Sequence, residues 1–170
     1  MAYTDIDDPS AYFQTTLYSG TGSEQSITNT GNSDLQPDWV WMKVRSNGTY
    51  GHANFDSVRG VNQFIGSNVD NSEEDQSSDV SLSAFNSDGF TVGGYFNNVN
   101  QSGQTFVSWQ WKAGTSFTND ASSTSVGSID SAGSVSTTAG FSIITYTGTG
   151  SAATVAHGLG SAPRMIIIKD

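Results

Sequence analysis

The chain has 170 residues, with 16 Asp and Glu against 6 Lys and Arg, and this gives a formal net charge of −10. It contains no cysteine, which excludes disulfides, thiolate metal sites and cysteine nucleophiles. The lack of a basic stripe argues against binding to nucleic acid, and the lack of a long apolar run argues against insertion into a membrane. Because the first residues do not have the pattern of a signal peptide, we expect synthesis in a cytoplasm without secretion by that route.

Alternating and β-rich segments dominate the first two thirds of the chain. Residues 1–12 are predicted to be a polar lead-in, and residues 13–113 a module of strands that include "FQTTLY", "DWVWMKV", "VSLSAF", "FTVGGYF" and "TFVSWQWKAG". Asn47–Gly48 and Asp88–Gly89 predict tight hairpins with glycine at positive φ. Since no segment has a 3.6-residue apolar period, the predicted fold is all-β, an antiparallel β-sandwich of the jelly-roll or concanavalin-like type.

The remainder of the chain divides into a polar segment and a repeat. Residues 114–139 are rich in Ser, Thr and Gly, which predicts a flexible linker, although scattered apolar residues would also allow a weak strand. Residues 140–170 repeat the beginning of the module, with Phe141 matching Phe13 and Lys169 matching Lys43. We therefore expect the first strands of a second copy, which would continue beyond residue 170.

Two W-x-W pairs hold all four tryptophans, Trp39/Trp41 and Trp109/Trp111, and each pair shares one face of its strand. Such a face could stack on sugar rings. The second copy, however, has Met and Ile at the positions of Trp39 and Trp41, so the positions require bulk rather than an aromatic ring. This comparison favours a core role for the tryptophans.

The opposite face of the same strand, Val40 and Met42, is also apolar and has isoleucines at the equivalent positions of the second copy. A sandwich strand needs one apolar face, so we predict that a subunit or inter-repeat contact covers Val40 and Met42. Ligand contact is expected instead at polar loops around Tyr50, His52 and Tyr95, whose rings combine an apolar face with a hydrogen-bonding edge.

Residues suited to catalysis are few. Glu73 and Glu74 are adjacent and point in opposite directions on any strand, so they cannot flank a glycosidic bond, and no G-x-S-x-G motif is present. His52 follows a predicted hairpin and His157 lies in the glycine-punctuated turn "AHGLGSAP", where a role as a turn residue is favoured over a role as a ligand. The acidic segment "DNSEEDQSSD" lacks the spacing of an EF-hand loop and is predicted to be a solvated loop rather than a calcium site. We expect neither an enzyme nor a cofactor.

Motifs along nearly the whole chain point to one group of proteins. "DPSAYFQTTLYSGTGS", "QPDWVWMKVRSN", "FNSDGFTVGG", "SWQWKAG" and "AGFSIITYTGTGSAATVAHGLGSAPRMIIIK" together resemble repeat-containing, tail-fibre-like structural proteins of tailed bacteriophages, frequent in marine phages. The resemblance implies lectin-like β-sandwich modules in a virion protein, a homotrimer that contacts other virion proteins and host surface glycans. It carries no catalytic motif.

One departure from the resemblance keeps other roles open. Tail fibres usually have a sizeable N-terminal anchoring domain, whereas here about a dozen residues precede the first module. A decoration or adaptor protein of the head or tail, or a carbohydrate-binding module of a bacterial adhesin, is therefore an alternative. A stable trimer would favour the fibre, and a monomer would favour the isolated binding module.

Overall fold

The computed structural model describes residues 6–78, 80–94 and 96–170, and the regular secondary structure of these residues consists mainly of antiparallel strands. The strands are β1 (Phe13–Ser19), β2 (Gln25–Ile27), β3 (Trp39–Val44), β4 (His52–Asp56), β5 (Gly60–Ile65), β6 (Glu74–Asp75), β7 (Leu82–Asn86), β8 (Gly89–Val92), β9 (Thr105–Trp111), β10 (Thr115–Asn119), β11 (Ser131–Ser136) and β12 (Phe141–Tyr146). Two four-residue helices, α1 (Asn97–Asn100) and α2 (Ala121–Thr124), and a 3₁₀ turn at Pro9–Ala11 accompany them. The predicted all-β class is confirmed, and no helix of the described residues is long and apolar enough to cross a membrane.

The largest sheet has six strands in the order β1-β9-β3-β4-β5-β6. The last strand of the module, β9, lies between β1 and β3, so that Trp111 pairs with Phe13 on one side and with Trp39 on the other. This pairing brings the last strand of the module into the sheet next to its first strand, so the six-stranded sheet is complete at residue 111.

The two predicted hairpins differ in structure. Asn86 pairs with Gly89 at the end of the β7–β8 turn, and Gly89 has a φ of 107°, as predicted. At the other site Lys43 pairs with His52, so residues 45–51 form a longer loop, and Gly48 does not have a positive φ. The prediction at Asn47–Gly48 is therefore wrong, because the register leaves more residues between the strands than a two-residue turn holds.

The hydrophobic core lies between the six-stranded sheet and a three-stranded sheet of order β2-β8-β7. Its buried members come from both sheets and from α1: Ile27, Val40, Met42, Ala53, Phe55, Phe64, Leu82, Phe90, Val92 and Val99. Burying a large aliphatic or aromatic side chain contributes roughly 1.5–3 kcal/mol, so this layer is the main source of the module's stability.

Val40 and Met42 belong to this core, and both are 0 % exposed in the single chain. The prediction that a subunit or inter-repeat contact covers them is wrong, because they have no surface left for another chain to cover. Their side chains are slim and aliphatic, which suits the close packing between two sheets about 10 Å apart.

Several buried polar side chains of the module are paired with each other or with the backbone, whereas the side-chain oxygens of Asn54 and Gln101 are buried without a described partner. Asn100 is fully buried, and its amide makes four hydrogen bonds of 2.6–3.0 Å that join α1 to the loop at residues 21–25 and to Gly93. Asn29 and Gln110 exchange amide hydrogen bonds of 3.0 and 2.6 Å. These bonds avoid the cost of burying polar groups without partners.

The predicted linker contains two strands. β10 and β11 pair with each other, and β11 pairs with β12, to form a second three-stranded sheet. A Cβ atom on Gly133 would lie 2.1 Å from the carbonyl oxygen of Ile143, so glycine is needed there for the strands to approach. The prediction of a flexible linker over residues 114–139 is wrong because its small residues serve strand pairing.

The segment Met165–Ile168 matches the middle of β3 in the repeat but has a different environment. The described residues 165–170 form neither helix nor strand, and the four apolar side chains are 55–74 % exposed. In β3 itself both edges are hydrogen-bonded, to β9 on one side and to β4 on the other.

Candidate functional site: an aromatic face of the six-stranded sheet

The side of the six-stranded sheet that points away from the core carries three rows of side chains across β1, β9, β3 and β4. The rows are Phe13–Trp111–Trp39–Asp56, Thr15–Trp109–Trp41–Asn54 and Leu17–Val107–Lys43–His52. We call these twelve residues the aromatic face, because they include all four tryptophans of the chain.

The tryptophans are partly exposed rather than buried in the core. Along β3 and β9 the half-buried tryptophans alternate with fully buried residues, so Trp41, for example, lies between Val40 and Met42. The prediction of a core role is wrong. Alternation assigns the two sets of side chains to opposite faces, but it does not say which face meets the second sheet.

The indole rings form a continuous cluster. Trp39 stacks on Trp111 with ring centres 4.4 Å apart, and on Trp41 at 5.6 Å. Trp41 meets Trp109 edge-on at 5.8 Å. These separations are those of favourable aromatic pairs, so the rings hold each other in place and form a broad, rigid surface.

Two phenylalanines cover one end of this cluster. Phe13 lies 5.0 Å from Trp111, and Phe141, at the start of β12, stacks on Trp39 at 5.8 Å with an interplanar angle of 9°. The Trp39/Trp111 end therefore contacts the first residue of β12, whereas Trp41 and Trp109 lie at the end away from it.

A histidine adjoins the Trp41 end. The indole Nε1 of Trp41 donates a hydrogen bond of 2.8 Å to Nδ1 of His52. Since Nδ1 accepts, the neutral imidazole carries its proton on Nε2. Burial lowers the pKa of His52 below its ordinary value, and the positive charge of Lys43 lowers it further.

Lys43 connects His52 with the loop that follows β3. Its Nζ donates to the backbone carbonyl of Tyr50 at 2.8 Å and to that of Val44 at 2.9 Å. The predicted ligand residues Tyr50 and His52 are thus close to each other and to the aromatic face. Tyr95, the third, lies outside the described residues.

Sequence reasoning did not assign Trp41, Trp109 and Lys43 to this site. The W-x-W spacing was the available signal, because it places bulky rings two residues apart on one strand face. Lys43 lies two residues after Trp41, so strand alternation places it on the same face of β3 as the two tryptophans. This spacing also indicated that Lys43 belongs to the site.

Several of the remaining acidic groups of the described residues have local partners. Among the described residues no three His, Cys, Asp or Glu side chains cluster as metal ligands. In the acidic segment Glu73 pairs with Arg59 at 2.8 Å, and Glu74 accepts hydrogen bonds from Asn71 and Gln76. Glu73 is thus held by the turn between β4 and β5, and Glu74 by neighbours in its own segment.

An open cleft of about 500 Å³ lies on the second three-stranded sheet, beside Asp120, Asp130 and Tyr146. Asp120 caps α2 by accepting hydrogen bonds from the backbone N–H groups of Ser122 and Ser123. The hydrogen bond from the Ser122 hydroxyl is the main cause that lowers the pKa of Asp120, and the backbone hydrogen bonds lower it further. Asp130 accepts from the backbone N–H of Ala121. Both carboxylates thus hold the local backbone, which is a structural role.

Comparison with known proteins gives a family but no described relative. No curated protein and no solved structure matches the chain. A family model described as "Domain of unknown function (DUF7483)" matches residues 8–170, which is nearly the whole chain and includes the aromatic face. The chain therefore belongs to the DUF7483 family.

Proposed function

We propose that the chain is a non-enzymatic structural protein of a bacteriophage particle, a tail fibre or tail-fibre-like protein, that contacts host surface glycans through its aromatic face. The observation that carries the glycan part of the proposal is the position of the four tryptophans, which lie on the outer side of the sheet and not in the core. The motifs and the repeat described above support the virion part.

The geometry of the Trp41 end suits sugar recognition. A pyranose ring has an apolar face that stacks on indole, and hydroxyl groups at its rim that need hydrogen-bond partners. Trp41 and Trp109 offer the stacking surface, and His52, Lys43 and Tyr50 lie beside it with polar atoms. Because the strands fix these positions, little ordering is required when a ligand binds.

A structural role of the same face is the second candidate. Phe141 stacks on Trp39 and Trp111, so part of the face already serves contact between the two copies. This contact favours a decoration or adaptor protein in which the face packs against a neighbouring module. A carbohydrate-binding module of a bacterial adhesin would share the glycan contact but not the virion.

A glycan microarray tests the proposed contact. The wild-type chain should bind a subset of bacterial-surface glycans, and Trp109→Ala should lose at least tenfold in affinity. Val126→Ala is the matched control, because Val126 is also an exposed apolar residue (54 %) but does not belong to the aromatic face. Equal binding by wild type and Trp109→Ala, with both folded by circular dichroism, would reject the aromatic face as the contact.

Assembly and location are tested separately. Sedimentation analysis of the purified chain should give a homotrimer for a fibre, and labelled antibodies against the chain should decorate the tail of the particle. A monomer that binds glycans would favour the adhesin module instead. Decoration of the head would favour the decoration protein.

A further inference from the structure

The aromatic face differs in charge from the rest of the molecule. The chain has 16 acidic residues, yet the twelve positions of the face hold a single carboxylate, Asp56. Asp56 is nearly buried, forms an ion pair of 2.6 Å with Arg59, and accepts from the backbone N–H groups of Val58 and Arg59. The Asp56 carboxylate is thus held by partners within the fold, although Arg59 also pairs with Glu73, and it lies in the row of the face furthest from Lys43.

The same face carries a cation whose charge is not neutralised. The described partners of the Lys43 ammonium group are two backbone carbonyl oxygens, of Val44 and Tyr50, and the ion pairs of the described residues are those of Arg59. Carbonyl groups orient the ammonium but do not cancel its charge. One of its three N–H groups has no described partner.

A second donor lies beside Lys43. His52 pairs with Lys43 in the register of β3 and β4, and its Nδ1 is occupied by the indole N–H of Trp41. The remaining ring nitrogen, Nε2, carries the proton and is a donor. The indole rings, the Lys43 ammonium group and the His52 N–H group are thus adjacent. The described residues at this end of the face include no carboxylate.

On the basis of the proposed function, we infer that the aromatic face binds acidic glycans, in which a carboxylate or sulfate group is directed at Lys43 and His52 while the sugar ring stacks on Trp41 and Trp109. The net charge of −10 repels polyanions at a distance, so binding of an acidic glycan requires a local site of this kind. Neutral sugars would leave the positive charge of Lys43 without a partner.

The experiment uses polymers that differ only in charge. Polygalacturonate is compared with its methyl ester, and dextran sulfate with dextran, by affinity electrophoresis of the 170-residue chain through native gels that contain each polymer. We expect at least one acidic polymer to retard the chain about tenfold more strongly than its neutral counterpart. The two pairs also distinguish a carboxylate from a sulfate as the bound group.

Two variants with the same change in net charge localise the effect. Lys43→Gln should abolish the preference for the acidic polymer, whereas Lys112→Gln should keep it, because Lys112 lies outside the face and donates to the backbone carbonyl of Gln36. An equal loss in both variants would mean that net charge alone sets the preference, and would overturn the inference.

The outcomes also separate the inference from the proposed function. Equal retardation by acidic and neutral members of each pair, or retardation by the neutral members alone, overturns the inference and leaves glycan binding intact. No retardation by any of the four polymers overturns the inference. If the glycan microarray is then also negative, the proposed glycan contact is overturned as well.

Discussion

The indole N–H of Trp41 donates to Nδ1 of His52 across 2.8 Å, and this bond joins the aromatic cluster on β3 to the first residue of β4. It requires an imidazole whose Nδ1 is unprotonated. Protonation of His52 would break the bond and place a second positive charge beside Lys43. The neutral histidine is therefore part of the fold of this face.

We expect the stability of the chain to fall when the pH drops below about 6.5, the ordinary pKa of histidine. Because the folded-state pKa of His52 is lowered, the unfolded chain takes up the proton first. The contribution of neutral His52 to the free energy of unfolding is fully present above pH 6.5 and is lost as the pH falls through the pKa of His52 in the folded chain. A histidine NMR titration checks this: in His157→Gln a single imidazole remains, and a His52 pKa at or above 6.5 would contradict the account.

The repeat supplies a matched pair of core and surface positions. Met42→Ala should cost about 2–5 kcal/mol, since Met42 is fully buried and the substitution leaves a cavity. Ile168→Ala, at the equivalent position of the second copy, should change stability by less than about 0.5 kcal/mol, because Ile168 is 70 % exposed. Urea denaturation measures both, and a cost below about 0.5 kcal/mol for Met42→Ala would show that Met42 is not in the core.

Gly89 and Gly48 form a second matched pair. Gly89 has a φ of 107°, and a Cβ atom there would lie 2.0 Å from the carbonyl oxygen of Ile27. Gly89→Ala should therefore cost more than about 1 kcal/mol. A Cβ atom on Gly48 meets nothing within 4 Å, so Gly48→Ala should be nearly neutral. Thermal unfolding of the two variants distinguishes these expectations, which fail if Gly48→Ala is the more damaging.

Asn100→Asp tests the buried amide of α1. The side-chain NH₂ group of Asn100 donates to the carbonyl oxygens of Ser23 and Gly93, and an aspartate would put an unpaired charge against both. We expect a loss of about 2–4 kcal/mol at pH 7, and part of it should return at acid pH as the carboxyl group is protonated. Asn97→Asp, on the exposed side of the same helix, is the control. Equal stabilities of the two variants in urea at pH 7 would contradict this role of the amide.

Sequence alone predicted the β class, the strands of the module and the positive φ of Gly89, because alternation and turn chemistry are local. It did not predict which face of β3 meets the core. Val40 and Trp41 are both apolar, so the pattern is symmetric, and the choice depends on packing against a second sheet that the local sequence does not describe. Met165 and Ile167, which align with Trp39 and Trp41, supported the wrong choice, because bulky apolar residues occur on outer faces as well as in cores.

The candidate site was predicted in part for a similar reason. Tyr50 and His52 could be proposed from the sequence as loop residues with polar rings. Their closeness to Trp41, however, follows from the pairing of Lys43 with His52 and from the hydrogen bond of the Lys43 ammonium group to the backbone carbonyl of Tyr50. The position of Trp109 beside Trp41 depends on the insertion of β9 between β1 and β3, which is a long-range event. Composition likewise concealed β10 and β11, since Ser, Thr and Gly are typical both of linkers and of closely approaching strands.

The four indole N–H signals of a ¹⁵N-labelled chain report whether the aromatic face contacts glycan. All four tryptophans lie on this face, so each signal reports on it without mutation. On titration with the oligosaccharide that binds most strongly on the microarray, the Trp41 and Trp109 indole signals should shift, while the amide signals of β7 and β8 remain in place. Saturable binding that leaves all four indole signals unchanged would contradict the account.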